Sequence, residues 1–291
     1  MKKTWAEYSE NISHSCLIKF QSVYDDLKSA ERKAADFCLS MPEYVNTATI
    51  GEVAGCANCS EATFVRLAKR LGYSGYPELR ENLLREDSEE IAHSVGIKNS
   101  DDIRTITTAV FNTNILALND TLSSLDFEFL EDAVNLILKA NHILIAASGD
   151  ANIVALSGVG KFMRLGLPVH YNTDFDTQLV YLSQMGESDV LICISHSGRT
   201  KNICELAKAA NKKRIKVLSL TNFPQSPLVK TSDIVLMTAA FSHDIMGETL
   251  AKRIPALCLL DTIYVSILFR LSNNELTKLD AANKILRLNK L

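Results

Sequence analysis

Val190-Leu191-Ile192-Cys193-Ile194-Ser195-His196-Ser197-Gly198-Arg199-Thr200 is the stretch on which the reading of this chain turns. Val190 to Ile194 is a short, unbroken apolar run with no polar alternation, which predicts a strand buried on both faces of a parallel sheet. Three hydroxyls and one glycine follow, leading straight into a helical pattern over Ile203 to Lys213. Side-chain hydroxyls, a glycine that lets backbone come close, and the N-terminus of a helix together form a cradle for an anion. A phosphate dianion gains there from both the N–H groups and the helix dipole. Taken alone, the pattern Ser-x-Ser-Gly is better read as a plain turn that caps a helix. The strand in front of it favours the cradle.

Working outward, short apolar runs alternate with helical patterns on both sides. Strands are predicted at His142–Ala147, Val169–Tyr171, Val217–Leu220 and Ile234–Leu236, and helices at Ile153–Leu165, Phe175–Met185 and, as a long closing segment, Ala251–Leu271. This order predicts a doubly wound α/β domain with a parallel sheet, which binds ligands at the carboxyl ends of its strands. Upstream, Phe127–Lys139 and a segment from Ile103 read as helices, the latter with Ile106, Val110, Ile115 and Leu118 as apolar contacts. Glu86 to Ser100 has no sustained periodicity and reads as a linker. The expected organisation is a helical domain over 1–86, linker and connecting helix over 87–125, and the α/β domain over 126–291.

The N-terminal region is helical throughout. Ala34, Ala35, Phe37, Cys38 and Leu39 form one stripe, ended by Pro42. Thr49 precedes a short helix with Ile50, Val53 and Ala54 inward. Ser60 is the expected N-cap of a third helix, Glu61 to Leu71, with Phe64, Val65, Ala68 and Leu71 inward and Gly72 closing it. Between them lies a turn in which Asn58 takes the left-handed conformation. The outward face of the third helix carries Ser60, Glu61, Thr63, Arg66, Lys69 and Arg70, continued by Tyr73, Ser74, Tyr76, Arg80 and Arg85. Hydroxyls and the helix N-terminus suit phosphates, and Arg66 suits a base edge in the major groove. On spacing alone, a DNA-reading helix and an ordinary bundle with a charged face are evenly matched.

The bulk composition narrows the choices. A net charge of −3 rules out a wholesale polyanion binder, so any DNA contact must be a local patch. The two lysines near the start have no apolar run behind them, and Ala256–Leu271 is broken by Asp261 and too short to span a bilayer, so no membrane association is expected. Seven scattered cysteines point to reduced thiols and a cytoplasmic setting. Cys56 and Cys59 have C-x-x-C spacing but no second ligand pair nearby, so neither a metal nor a cofactor is expected.

Two stretches carry a resemblance. Ser60 to Tyr73, followed by Gly75-Tyr76-Pro77-Glu78-Leu79 and preceded by Leu27 to Ala35, resembles the DNA-reading segment of the RpiR/MurR family of regulators, with Asn58 where that family usually has glycine and Cys59 where valine is common. Ile194 to Thr200, with Gly186 to Val190, Ser219 to Asn222 and Ser226-Pro227-Leu228, resembles the phosphate loop and its surroundings in the SIS (sugar isomerase) domain. The two in this order imply a DNA-binding transcriptional regulator of carbohydrate metabolism, modulated by a sugar phosphate. The resemblance further implies that Ser195, Ser197 and Thr200 hold the phosphoryl group. The first strand's loop, Ala147 to Ala151, departs from the family's Gly-x-Gly-x-Ser: only Gly149 matches cleanly, and Asp150 would repel a phosphate. Ser148, Gly149, Asp150 and Glu248 are therefore the candidates for the sugar itself. Two other classes fit the same fold. One is a sugar-phosphate isomerase with Glu248, His243 or His196 as base; the other is an interaction scaffold without ligands. The expected partners are a double-stranded operator, the effector, and further copies of the chain as a homodimer or homotetramer.

Overall fold

A computed structural model describes residues 12, 14–84, 102–240, 244–245 and 248–289. The chain divides into two compact units, one of residues 1–116 and 241–250, the other of residues 117–240 and 251–291.

In the first unit, helices α1 (His14–Val23), α2 (Ser29–Ser40), α3 (Pro42–Thr47), α4 (Ile50–Cys56), α5 (Glu61–Arg70) and α6 (Tyr76–Glu81) surround one core. Its centre is Phe20, Ala34, Cys38, Val53, Phe64, Leu67 and Leu79, all fully buried. Helix α1 lies ahead of the predicted stripe, yet Cys16, Leu17, Phe20 and Val23 make its inner face. Pro42 does not merely end a helix: it begins the next one at N1, where its missing N–H costs nothing. Helix α4 opens on a reciprocal cap, with Thr49 Oγ1 accepting from Glu52 N and the Glu52 carboxylate accepting from Thr49 N at 2.8 Å.

Helices α4 and α5 end in the same way. Asn58, at φ 50°, is in the left-handed region as predicted, while Cys59 N donates to Ala54 O and Asn58 N to Gly55 O. Gly72, at φ 82°, repeats this after α5, with Tyr73 N donating to Ala68 O. This pair of bonds satisfies carbonyls that a helix end otherwise leaves open. Asn58 thereby sets the turn between the two crossing helices.

The second unit contains the end of α7 (Ile103–Ser124), then α8 (Phe127–Lys139), β1 (Ile143–Ala147), α9 (Ala151–Arg164), β2 (Val169–Tyr171), α10 (Phe175–Gln184), β3 (Val190–Ile194), α11 (Lys201–Lys212), β4 (Lys216–Thr221), β5 (Ile234–Met237), α12 (Arg253–Leu268) and α13 (Asn273–Leu286). All five strands are parallel, in the order β2-β1-β3-β4-β5. Side chains alternate across this sheet. Ile143, Ile145, Val190, Ile192, Ile194, Leu218 and Leu220 pack beneath α8, α9 and α12, whereas Leu144, Ala146, Leu191, Cys193 and Val217 pack beneath α10 and α11. Helices thus cover both faces, the architecture that the continuous apolar runs predict.

The closing helix differs from its expected form. It starts at Arg253 and stops at Leu268, and α13 follows it. Its inner face, including Leu259, Leu260, Ile263 and Ile267, is buried, but Val265 and Phe269 are exposed. It is a core helix on one side only. The contacts expected along α7 are also different: Ile115 is exposed, and the buried row is Thr113, Ala117 and Thr121. The linker at Glu86–Ser100 lies outside the described residues, as do Arg85 and His243. The short strands β6 (Asp244–Ile245) and β7 (Glu248–Thr249) pair antiparallel in the first unit.

Candidate functional site

Strand order reverses on either side of β1, which places a switch point between β1 and β3. At such a point the loops leaving two neighbouring strands diverge to opposite faces and leave a crevice for a ligand. Ala147 and Ile194 are paired partners at the carboxyl ends of these strands. The two loops picked out by sequence, Ser148–Asp150 and Ser195–Thr200, therefore leave the sheet side by side.

The second loop is tightly held. Ser195 is buried and its Oγ lies 3.0 Å from Thr200 Oγ1. Ser197 is half-buried, with its Oγ accepting from Arg199 N at 3.2 Å. Gly198 is the hinge, at φ 61°, donating to Ser195 O and accepting from Leu228 N. A Cβ there would meet Ser226 Oγ at 2.1 Å and Thr221 Oγ1 at 2.9 Å, so no other residue fits without displacing this wall. The His196 carbonyl accepts from Asn222 N and Thr221 Oγ1, fixing the loop to the end of β4. Helix α11 begins at Lys201, with Thr200 as its N-cap residue but without a side-chain cap. The first-turn N–H groups, which have no intrahelical acceptors, thus open onto the loop. The structure brings Ser195 and Thr200 directly together and sets Ser197 beside them.

In the first loop Ser148 and Gly149 are exposed, and Gly149 adopts φ 61°. Asp150 is engaged by two cations: Arg253 Nη1 at 2.9 Å and Lys252 Nζ at 3.3 Å. Sequence reasoning missed both, because they sit a hundred positions away in a stretch with no motif. Glu248 lies in β7 of the first unit, and its side chain is outside the described residues.

On α5 the expected outward face is partly corrected. Ser60, Glu61, Arg66 and Lys69 are exposed, but Thr63 is buried at 2% exposure beside Phe64, Leu67 and Ala68. Its Oγ1 takes a hydrogen bond from Arg66 Nη2 at 3.2 Å and meets Ser60 Oγ at 2.9 Å. Ser60 is the N-cap residue, as expected, in extended conformation, but its hydroxyl meets Thr63 Oγ1 and makes no side-chain bond to a helix amide. Arg70 turns back onto the fold, donating to Asp26 O at 2.7 Å and pairing with the largely buried Glu31 at 3.4 Å. Tyr73 and Tyr76 belong to the core rather than to a basic face, and Tyr76 Oη donates to Val45 O. Val65, expected inward, is half-buried, and Leu67 takes its place.

Residues 14–90 match the helix-turn-helix domain of the rpiR family, and residues 136–266 match the SIS domain. An HTH-type transcriptional regulator of Thermotoga maritima is 31% identical over 87% of this chain and 91% of its own length. This chain belongs to the rpiR family of transcriptional regulators. The HTH-type transcriptional regulator HexR of Escherichia coli is 28% identical over 87% of this chain and 88% of that protein. In structure, this rpiR-family chain is similar to the Vibrio vulnificus NanR protein complexed with ManNAc-6P. That likeness has a TM-score of 0.60 and 26% identity, and it covers 93% of this chain and 97% of NanR. Among the described residues no helix is long and apolar enough to cross a membrane, and no group of three or more His, Cys, Asp or Glu side chains is placed to hold a metal ion.

Proposed function

We propose that this regulator binds an operator through the exposed face of α5 and is modulated by a sugar phosphate held between the loops after β1 and β3. Ser195, Ser197, Thr200 and the first turn of α11 take the phosphoryl group; Ser148, Gly149 and Asp150 face the sugar. On DNA, Arg66 reads base edges, while Ser60 and Lys69 contact phosphates and Glu61 flanks them at the start of the helix. Thr63 and Arg70 leave this set, because one is buried and the other is committed to Glu31 and Asp26.

The observation that carries the effector half is the Ser195–Thr200 loop itself. Two hydroxyls 3.0 Å apart, a glycine that admits no side chain, and a helix N-terminus meet at a switch point. The solved relative complexed with a phosphorylated sugar supports the same reading. Copies of the chain associate as a homodimer or homotetramer, and exposed apolar side chains such as Leu122, at 62% exposure, and Phe269, at 85%, are available for such contacts. A dimer of such helices reads half-sites about one DNA turn apart, or a multiple of it, so the operator is an inverted repeat. The effector shifts operator affinity by binding one arrangement of the reading helices better than another, a coupling of about 1–3 kcal/mol.

A thermal-shift screen of the purified protein against sugar phosphates, amino-sugar phosphates and the unphosphorylated sugars tests this. A ligand that binds only the native state must raise its stability. Stabilisation by a phosphorylated sugar, absent in a Ser197→Ala variant, is the expected result. A shift of equal size in parent and variant would sink the phosphate-loop assignment.

A further inference from the structure

The loop after β1 holds an acidic side chain, Asp150, where an anionic ligand is expected, and two cations hold its carboxylate. Asp126 and Asp174 both precede helices, and both turn their carboxylates onto first-turn amides of α8 and α10. Asp150 also precedes its helix, α9, but its own backbone is helical, at φ −65° and ψ −27°, where Asp126 and Asp174 are extended, and its side chain makes no such bond. Its Oδ1 goes to Arg253 and its Oδ2 to Lys252, the two residues at the start of α12. The carboxylate is therefore left uncommitted by its helix and is held by two cations supplied from elsewhere in the sequence.

That arrangement leaves capacity on the carboxylate. An ionised carboxylate offers about four lone-pair sites and only accepts hydrogen bonds. Two sites are taken by the two cations, and Asp150 remains a third exposed, so a ligand can reach the others. Space is available: Ser148 is exposed, and a Cβ added to Gly149 would meet nothing within 4 Å. The adjacent loop across the switch point carries the hydroxyls and helix N-terminus that suit a phosphate. Adjacent strands stand about 5 Å apart, so a phosphosugar anchored there extends over the first loop.

We propose that Lys252 and Arg253 are positioning residues for Asp150, and that the carboxylate they orient reads hydroxyl or amino donors at the end of the effector remote from its phosphate. This rests on the effector-site reading above. It assigns specificity to a three-residue ion cluster rather than to the phosphate loop, which by itself recognises any phosphomonoester. Ligand ends that only accept hydrogen bonds, or that are negatively charged, face a carboxylate with nothing to donate to it.

Calorimetric titration of the full-length protein with glucose 6-phosphate, glucosamine 6-phosphate, N-acetylglucosamine 6-phosphate and inorganic phosphate tests the proposal. Losing one hydrogen bond to a charged group is expected to weaken the tightest-binding sugar phosphate about tenfold in Arg253→Gln. Binding of inorganic phosphate should stay within about twofold of the parent. The double variant Asp150→Asn/Arg253→Gln should bind no more weakly than Asp150→Asn alone, because Arg253 acts through Asp150. Lys252→Gln repeats the comparison if Arg253→Gln melts below the parent. An Arg253→Gln protein that binds sugar phosphate as the parent does overturns the proposal and leaves the effector site standing. Equal loss of sugar phosphate and inorganic phosphate also overturns it, since Arg253 would then hold the phosphate itself. A parent protein that binds none of the four probes defeats the effector-site reading, and this inference with it.

Discussion

At the scale of single residues, Gly198 is where sequence and geometry meet most closely. The serines and threonine of its loop are the visible chemistry, but they converge only because residue 198 takes φ 61° against a wall made by Thr221 and Ser226. Gly198→Ala adds a methyl that overlaps Ser226 Oγ and forces a left-handed L-residue. Overpacking and the backbone penalty together are expected to cost about 3 kcal/mol. Urea denaturation followed by circular dichroism should show this loss, and the variant should no longer be stabilised by any phosphosugar that stabilises the parent. Unchanged stability would mean that the wall moves easily and that the loop is less fixed than its hydrogen bonds indicate. The same conformation at Arg214, φ 59°, ends α11 without glycine, so a positive φ is not legible from residue type alone.

At the scale of elements, α5 shows how much the sequence reveals about a recognition helix and where it stops. Its limits, its N-terminal extended residue and its closing glycine follow from local rules and are legible. Which polar residues face outward is not, because Thr63 and Arg70 lie at the margins of the apolar stripe: Thr63 turns inward beside Phe64 and Leu67, and partners about forty residues away hold Arg70. The strands were similarly legible from their unbroken apolar runs, whereas the partners of Asp150 were not, since nothing near Lys252 marks them. The two arginines of α5 should therefore separate cleanly. Arg66→Ala is expected to leave the melting temperature unchanged while lowering operator affinity by about 1–3 kcal/mol and relaxing selectivity at one base position. Arg70→Ala removes the cation paired with the largely buried Glu31 and one donor to Asp26 O. It should cost about 2 kcal/mol of stability in the N-terminal unit, visible as an earlier thermal transition. Fluorescence anisotropy on operator DNA and calorimetric melting distinguish the two. The assignment fails if Arg66→Ala destabilises the fold and Arg70→Ala does not.

At the scale of the whole molecule, the two units share a limit at alkaline pH. Burial pushes the Cys16 thiol up from 9.0 to about 11, and burial raises Cys38 in the same core as well as Cys193 in the sheet of the other unit. Burial likewise holds Tyr76 up at about 12 and raises Tyr73. Each of these groups keeps its proton longer in the folded chain than in the unfolded one. Between pH 9 and 11 the unfolded state therefore binds fewer protons than the native state, and the slope of unfolding free energy with pH is negative. The stabilisation is complete below the unfolded thiol value and is lost as pH rises through the folded ones. Urea midpoints should accordingly be level from about pH 7 to 8.5 and fall steadily above pH 9. Thiol labelling supplies an independent reading, because Cys56 and Cys258 are exposed while Cys16, Cys38, Cys193 and Cys204 are buried. At neutral pH a maleimide should modify Cys56 and Cys258 rapidly, with the buried thiols reacting only as the chain unfolds at high pH. Rapid modification of Cys38 or Cys193 in the native state at neutral pH would show that these cores open far more readily than their packing implies, and the predicted alkaline slope would vanish with it.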